Sequence, residues 1–323
     1  MMSPAGNHDM NPAFSVIFLT TLIGAAQGLF IALVVSQPHG LEGADGLQSF
    51  AVVGGLTSLG LLVLGLVSSF FHLGRPERAW RAATKWRTSW LSREVIALPL
   101  LMLCVGTYTA LQWPIVETVP AVIKVVGVTG VVLVAILFIC TAMIYACVKF
   151  LQEWSSPWTL INFTLLGSAS GFVLASAIGA SMGQINTAQL ASIAMTLVAL
   201  GLFSRLFTFY RNSTIKFRSS IQSAVGIKHQ FITQRSMGMT GGSFNTKAFF
   251  HHASAAVMQN IKVLVILCAF ILPFLLVGGY LLVSISELLW LAFVIQFVGL
   301  VAERWLFFAQ ANHPQNIYYQ TIG

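Results

Sequence analysis

His72 and Glu94 are the side chains of this sequence best suited to moving protons. They bracket one short connection, standing in the runs Phe71-His72-Leu73-Gly74-Arg75-Pro76 and Thr88-Ser89-Trp90-Leu91-Ser92-Arg93-Glu94. Each lies where a long apolar stretch meets a polar one, and the connection returns the chain to the face it left, so the two can approach at one depth. Histidine titrates near neutrality and can both donate and accept a hydrogen bond. A neighbouring carboxylate supplies a second exchangeable proton. Such a pair at a membrane boundary suits proton-coupled electron transfer on a quinone. There two protons accompany two electrons, and each carbonyl or hydroxyl needs a hydrogen-bonding partner. Two plainer readings stand beside it: His72 capping a helix carbonyl, and Glu94 complementing the N-terminal dipole of the next helix.

The residues between them are strongly basic. Arg75, Arg78, Arg81, Lys85, Arg87 and Arg93 crowd the connection. Such a cluster fixes topology and binds lipid headgroups, and it equally suits an acidic partner surface. Trp80, Trp86 and Trp90 read as interfacial anchors, with stacking on a quinone ring as the alternative.

The elements that position these residues follow from composition. Only 8% of residues are charged, 57% are hydrophobic, and mean hydropathy is +0.83, where a soluble domain carries about 25% charged residues. This is the composition of a polytopic membrane protein. Eight apolar stretches can each cross a hydrocarbon core of about 30 Å: 13–36, 48–72, 92–112, 119–147, 158–181, 187–210, 258–283 and 286–308. They are too long and too uniformly apolar for barrel strands, so the expected fold is all-α, an integral membrane bundle of eight transmembrane helices in one domain. The first stretch lacks a basic segment before it and a small-residue cleavage site after it, and is read as a retained span.

Eight crossings put both termini on one side, together with the connections at 73–91, 148–157 and 211–257. Assigning each Lys and Arg to its nearer face places every one there except Lys124, counting Arg205, Arg211, Lys262 and Arg304 at helix ends. The positive-inside rule makes that face cytoplasmic. The net charge of +8 is therefore a product of topology, and nucleic acid is not expected as a partner.

Other signals exclude more than they propose. Cys104, Cys140, Cys147 and Cys268 all fall in apolar spans with no Cys-x-x-Cys run, so neither an iron–sulfur cluster nor a metal site is expected in this chain, and the thiols read as packing residues. Only His72 stands at a span, whereas a membrane haem usually takes two facing axial ligands; no haem is expected. Gly24-x-x-x-Gly28, Gly167-x-x-x-Gly171 and Gly179-x-x-x-Gly183 read as close helix contacts. Pro99 and Pro273 are expected to kink their spans. Ionisable groups at mid-span are scarce, with Glu287, Glu303 and Arg304 near ends, which argues against a transporter. A purely structural tether remains a rival.

The runs around His72 and Glu94, with Arg78-Ala79-Trp80-Arg81 between them, closely resemble the membrane anchor subunit of the dimethyl sulfoxide reductase family. A second block of resemblance lies at Ala224-Val225-Gly226-Ile227-Lys228-His229 and from Ser236 to His251. The resemblance implies a haem-free anchor in a bacterial inner membrane, joined to a subunit with four iron–sulfur clusters and through it to a molybdopterin catalytic subunit, and exchanging electrons with menaquinone or ubiquinone. It places His72 and Glu94 on the histidine and glutamate implicated in quinol binding, and makes Arg75, Arg93 and Trp90 candidates for orienting a quinone oxygen or the carboxylate. Docking of the iron–sulfur subunit falls to Arg78, Arg81, Lys85 and Arg87 and to the long connection 211–257, with Lys228, His229 and Lys247. A cytoplasmic docking face favours relatives that oxidise sulfite and reduce quinone over those that oxidise quinol to reduce an S-oxide; the residues themselves serve either direction.

Overall fold

The computed structural model describes residues 13–37, 45–71, 73, 75–116, 119–184, 186–216, 220–233, 235 and 253–311. Two residues singled out above, His72 and Lys247, lie outside this set, as do His251 and His252. Among the described residues all regular structure is helical, and eight helices are long and apolar enough to span a bilayer. They are α1 (Phe14–Ser36), α2 (Asp45–Phe70), α3 (Trp90–Leu111), α4 (Pro120–Ala146), α5 (Pro157–Ser181), α6 (Thr187–Ser213), α7 and α8 (Glu287–Ala309). Helix α7 is composite: Ala255–Val265, a π-helical segment Ile266–Ile271, and Leu272–Val283. Every boundary falls within about three residues of the one expected from hydropathy, because some twenty apolar residues are needed to cross the hydrocarbon at 1.5 Å per residue.

Helices α1 and α5 form the centre. Of their most apolar windows 72% and 83% are buried, against 28% for α4 and α7. Their sequences explain this, for both mix small residues with apolar ones on all sides and have no polar face to turn outward. Gly24 and Gly28 on α1 meet Gly167 and Ser168 on α5, and a Cβ at Gly28 would come within 2.8 Å of the Ser168 Cα. A Cβ at Gly171 would enter the backbone of Gly28 and Leu29. Two of the three small-residue motifs are thus the α1–α5 contact itself.

The third motif behaves differently. Helix α5 stops at Ser181, and Gly183 lies in the turn beyond it with φ +66° and open space around its Cα. It serves the left-handed turn, not helix packing. Cys147 also departs from expectation: it caps the end of α4 and is exposed, while Cys140, about two turns earlier, is buried.

The α1–α5 contact yields a direct prediction. Gly171→Ala forces the two central helices apart and should lower stability by about 1–3 kcal/mol, seen as a lower thermal unfolding midpoint in detergent. Gly60→Ala on α2, where no described atom lies within 4 Å of the added methyl, should leave the midpoint unchanged. Equal midpoints for both variants would contradict the packing described.

The two prolines are accommodated in different ways. Helix α3 continues through Pro99. Pro273 on α7 stands two residues after the end of the π segment, a widened turn that tolerates a residue lacking an N–H. Gly299 on α8 seats against that turn: a Cβ there would approach the Cys268 carbonyl carbon to 2.5 Å.

Candidate functional site

Glu94 is the fifth residue of α3, about one turn inside the helix. It is 8% exposed and turns sideways to α4, where Thr141 Oγ1 donates to its Oε1 at 2.5 Å. The helix start is capped separately, by the Ser89 side chain accepting from the Ser92 N–H at 3.4 Å. Glu94 therefore does not cap α3. It is a buried carboxylate held by one hydroxyl, with a partly open space beside it.

That space is a cavity of about 20 Å³, room for a water molecule. Thr20, Gln27, Glu94, Thr141, Phe163 and Arg304 are among the residues that line it. The cavity gathers the starts of α1, α3 and α5 and the ends of α4 and α8 at one end of the bundle. Trp154, in the connection from α4 to α5, closes the same end by donating from Nε1 to the Phe307 carbonyl at 2.9 Å. At the opposite end Asn186 reaches the Ser36 carbonyl and Trp290 donates to Ser181 Oγ at 2.8 Å.

The connection ahead of α3 folds as a 3-10 helix, Pro76–Lys85, longer than such helices usually run. Arg78, Arg81, Lys85 and Arg87 are all exposed on or just after it, as is Arg75 before it. The guanidinium of Arg81 lies 5.6 Å from the Trp80 ring centre and that of Arg87 5.4 Å from Trp86. These cations sit on exposed indoles at the bundle's rim, an arrangement suited to headgroups or an acidic partner. Arg93 turns back on the connection: Nε donates to the Trp86 carbonyl and Nη2 to the Arg87 carbonyl, both at 2.9 Å, and the group lies 4.1 Å from the Trp90 ring centre. Arg93 and Trp90 thereby pin the connection to the helix that carries Glu94. In the long connection Lys228 and His229 are exposed. The His229 ring is engaged locally, with Nδ1 2.7 Å from the Phe231 carbonyl oxygen.

The structure also assembles a group of charges that sequence reasoning left at the helix ends. Arg205 on α6 and Glu303 and Arg304 on α8 are buried at 2%, 0% and 4% exposure. Arg205 Nε lies 3.0 Å from one Glu303 oxygen and Arg304 Nε 3.0 Å from the other. The Arg304 guanidinium rests 3.8 Å from the Phe163 ring centre, and its Nη1 has no hydrogen-bond partner among the described residues. Beside it Ser204 Oγ donates to Asn162 Oδ1 and Asn162 Nδ2 to Thr208 Oγ1, both at 2.9 Å, tying α6 to α5. The signal available in the sequence was the adjacent Glu303-Arg304 pair one turn inside an apolar span, with Arg205 at similar depth in another.

The family of DMSO reductase anchor subunits (DmsC) matches residues 8–310. The chain is also 48% identical to a sulfite dehydrogenase subunit of Allochromatium vinosum, over 97% of this chain and the whole of that protein.

Proposed function

The chain belongs to the DMSO reductase anchor subunit family, and on that basis we propose that it exchanges electrons and protons between the membrane quinone pool and an iron–sulfur subunit, as the anchor of a complex that oxidises sulfite and reduces quinone. As a member of that family it is a multi-pass membrane subunit of an oxidoreductase complex and works with catalytic partner subunits. The observation that carries the quinone reading is Glu94, a buried carboxylate one turn inside α3, the helix that follows the basic 3-10 helix.

Quinone reduction consumes two electrons and two protons. The electrons come from the partner, which this reading gives four iron–sulfur clusters and a molybdopterin catalytic subunit. Glu94 delivers a proton to a quinone oxygen, and His72, on the other side of the same connection, serves the second oxygen or the return path to water. The cavity behind Glu94 admits water and no ring, so the quinone approaches from the outer side, toward the connection pinned by Arg93 and Trp90. Arg75, exposed ahead of the 3-10 helix, is assigned the orienting of a quinone oxygen. Docking uses Arg78, Arg81, Lys85 and Arg87 with Lys228, His229 and Lys247. Because those residues share the face that carries nearly all the positive charge, the positive-inside rule supports a cytoplasmic docking face and cytoplasmic termini in a bacterial inner membrane.

Copurification in mild detergent tests this. The complex should contain molybdenum and reduce a quinone analogue when sulfite is added. Quinol-dependent reduction of dimethyl sulfoxide in its place would reverse the direction assigned here, and a chain that purifies alone, without molybdenum or quinone binding, would overturn the reading.

A further inference from the structure

We propose that the cavity between Glu94 and Arg304 holds a water molecule joining the two side chains, and that the Arg205–Glu303–Arg304 cluster is the fixed counter-charge for Glu94 during proton transfer. This rests on the quinone reading of Glu94 and extends it to residues behind the site.

Three observations carry it. The cavity has polar walls from Thr20, Thr21, Gln27, Thr141, Glu94 and Arg304, and its volume of about 20 Å³ suits one water. The hydroxyls of Thr20 and Thr21 are already bonded to carbonyls of their own helix, whereas Arg304 Nη1 is buried with no partner among the described residues. A water between Arg304 and the Glu94 carboxylate supplies that partner. Finally, two arginines share one carboxylate in the cluster, so the cluster carries one positive charge in excess.

The excess charge has a use. When Glu94 gives its proton to a quinone oxygen, the carboxyl O–H breaks, a quinone O–H forms, and a negative charge is left on a buried carboxylate held by the Thr141 hydroxyl. The two electrons of the reduction come from the partner's clusters, and the carboxylate regains its proton from solvent by way of the cavity water. A cation fixed across one water lowers the cost of the transient charge without moving. Arg304 is thus a positioning residue. Among the described residues the other titratable groups near Glu94 are Cys140 and Tyr145 on α4, while Arg93 on its own helix turns back on the connection. Among the described residues α1 and α5 turn only neutral side chains to the cavity, and the cations of the 3-10 helix are exposed outside it.

The test uses the intact complex, with quinone turnover and redox-triggered infrared difference spectra. A carboxyl band lost in Glu94→Gln reports Glu94. Arg304→Gln should shift that band and lower kcat about tenfold with KM for quinone unchanged, and Arg304→Lys should restore most of both. In the wild-type complex an O–H stretch should move in H2(18)O and vanish in Glu94→Gln, a readout that stands even where an Arg304 variant fails to assemble. A wild-type band and kcat in Arg304→Gln, or no water band in the wild type, overturns the proposal. Full turnover in Glu94→Gln would sink the quinone reading and this one with it, whereas loss of turnover there beside a normal Arg304→Gln sinks this one alone.

Discussion

Glu94→Gln should abolish quinone-linked turnover, by about 100-fold or more, while the complex assembles and its catalytic subunit still works with an artificial redox dye. The substitution is nearly isosteric, and the amide oxygen can still accept from Thr141, so the helix pair α3–α4 has no reason to rearrange. What disappears is the ability to hold and release a proton, and a positioned acid–base group is typically worth 10²–10⁴ in rate. A tether without a quinone role predicts the opposite, normal turnover in an assembled complex. Dye-linked activity separates the cases: its loss would mean the catalytic subunit had failed to dock, and its retention with quinone turnover gone places the defect at the membrane. Glu94→Asp, which keeps the proton and shortens the reach, should recover part of the rate.

Hydropathy announced the helices because crossing a bilayer requires a sum over twenty residues, and such a sum tolerates local exceptions. The Glu94 site was legible for a related reason, since its residues interrupt that sum at a boundary. The charge cluster was harder to read. An arginine one to two turns from a helix end, such as Arg205 or Arg304, ordinarily extends its stem and places its head in the interface, and counting both toward the positively charged face followed from that. Whether such a side chain snorkels or turns inward depends on which helix face meets a neighbour. In α6 and α8, where apolar residues surround both arginines in the sequence, periodicity does not mark that face. Thr141 as the partner of Glu94 was hidden in the same way, being one hydroxyl in a span that also contains Thr129. The 3-10 helix Pro76–Lys85 is polar on average, so a sum over a span's length reads it as a connection although its apolar and charged residues fall on different sides. Gly183 shows the opposite failure, where a spacing that resembled packing was a helix end.

Glu303→Leu should be the most destabilising single change in the bundle. It leaves Arg205 and Arg304 buried, adjacent and without their shared carboxylate. Removing one partner of a buried ion pair costs about 3–5 kcal/mol, whereas replacing the whole group with apolar side chains of similar size is often neutral. The triple variant Arg205→Met, Glu303→Leu, Arg304→Met should therefore recover the yield of monodisperse protein and the thermal midpoint that Glu303→Leu loses. If Glu303→Leu alone were as stable as the wild type, the arginines would have to reach water, contrary to their burial. The triple variant also divides the cluster's two roles. A bundle held together by the ion pairs alone would regain full quinone turnover once refilled with apolar side chains. A cluster that offsets charge on Glu94 would give back the fold and leave turnover about tenfold low, because the positive charge across the cavity would still be missing.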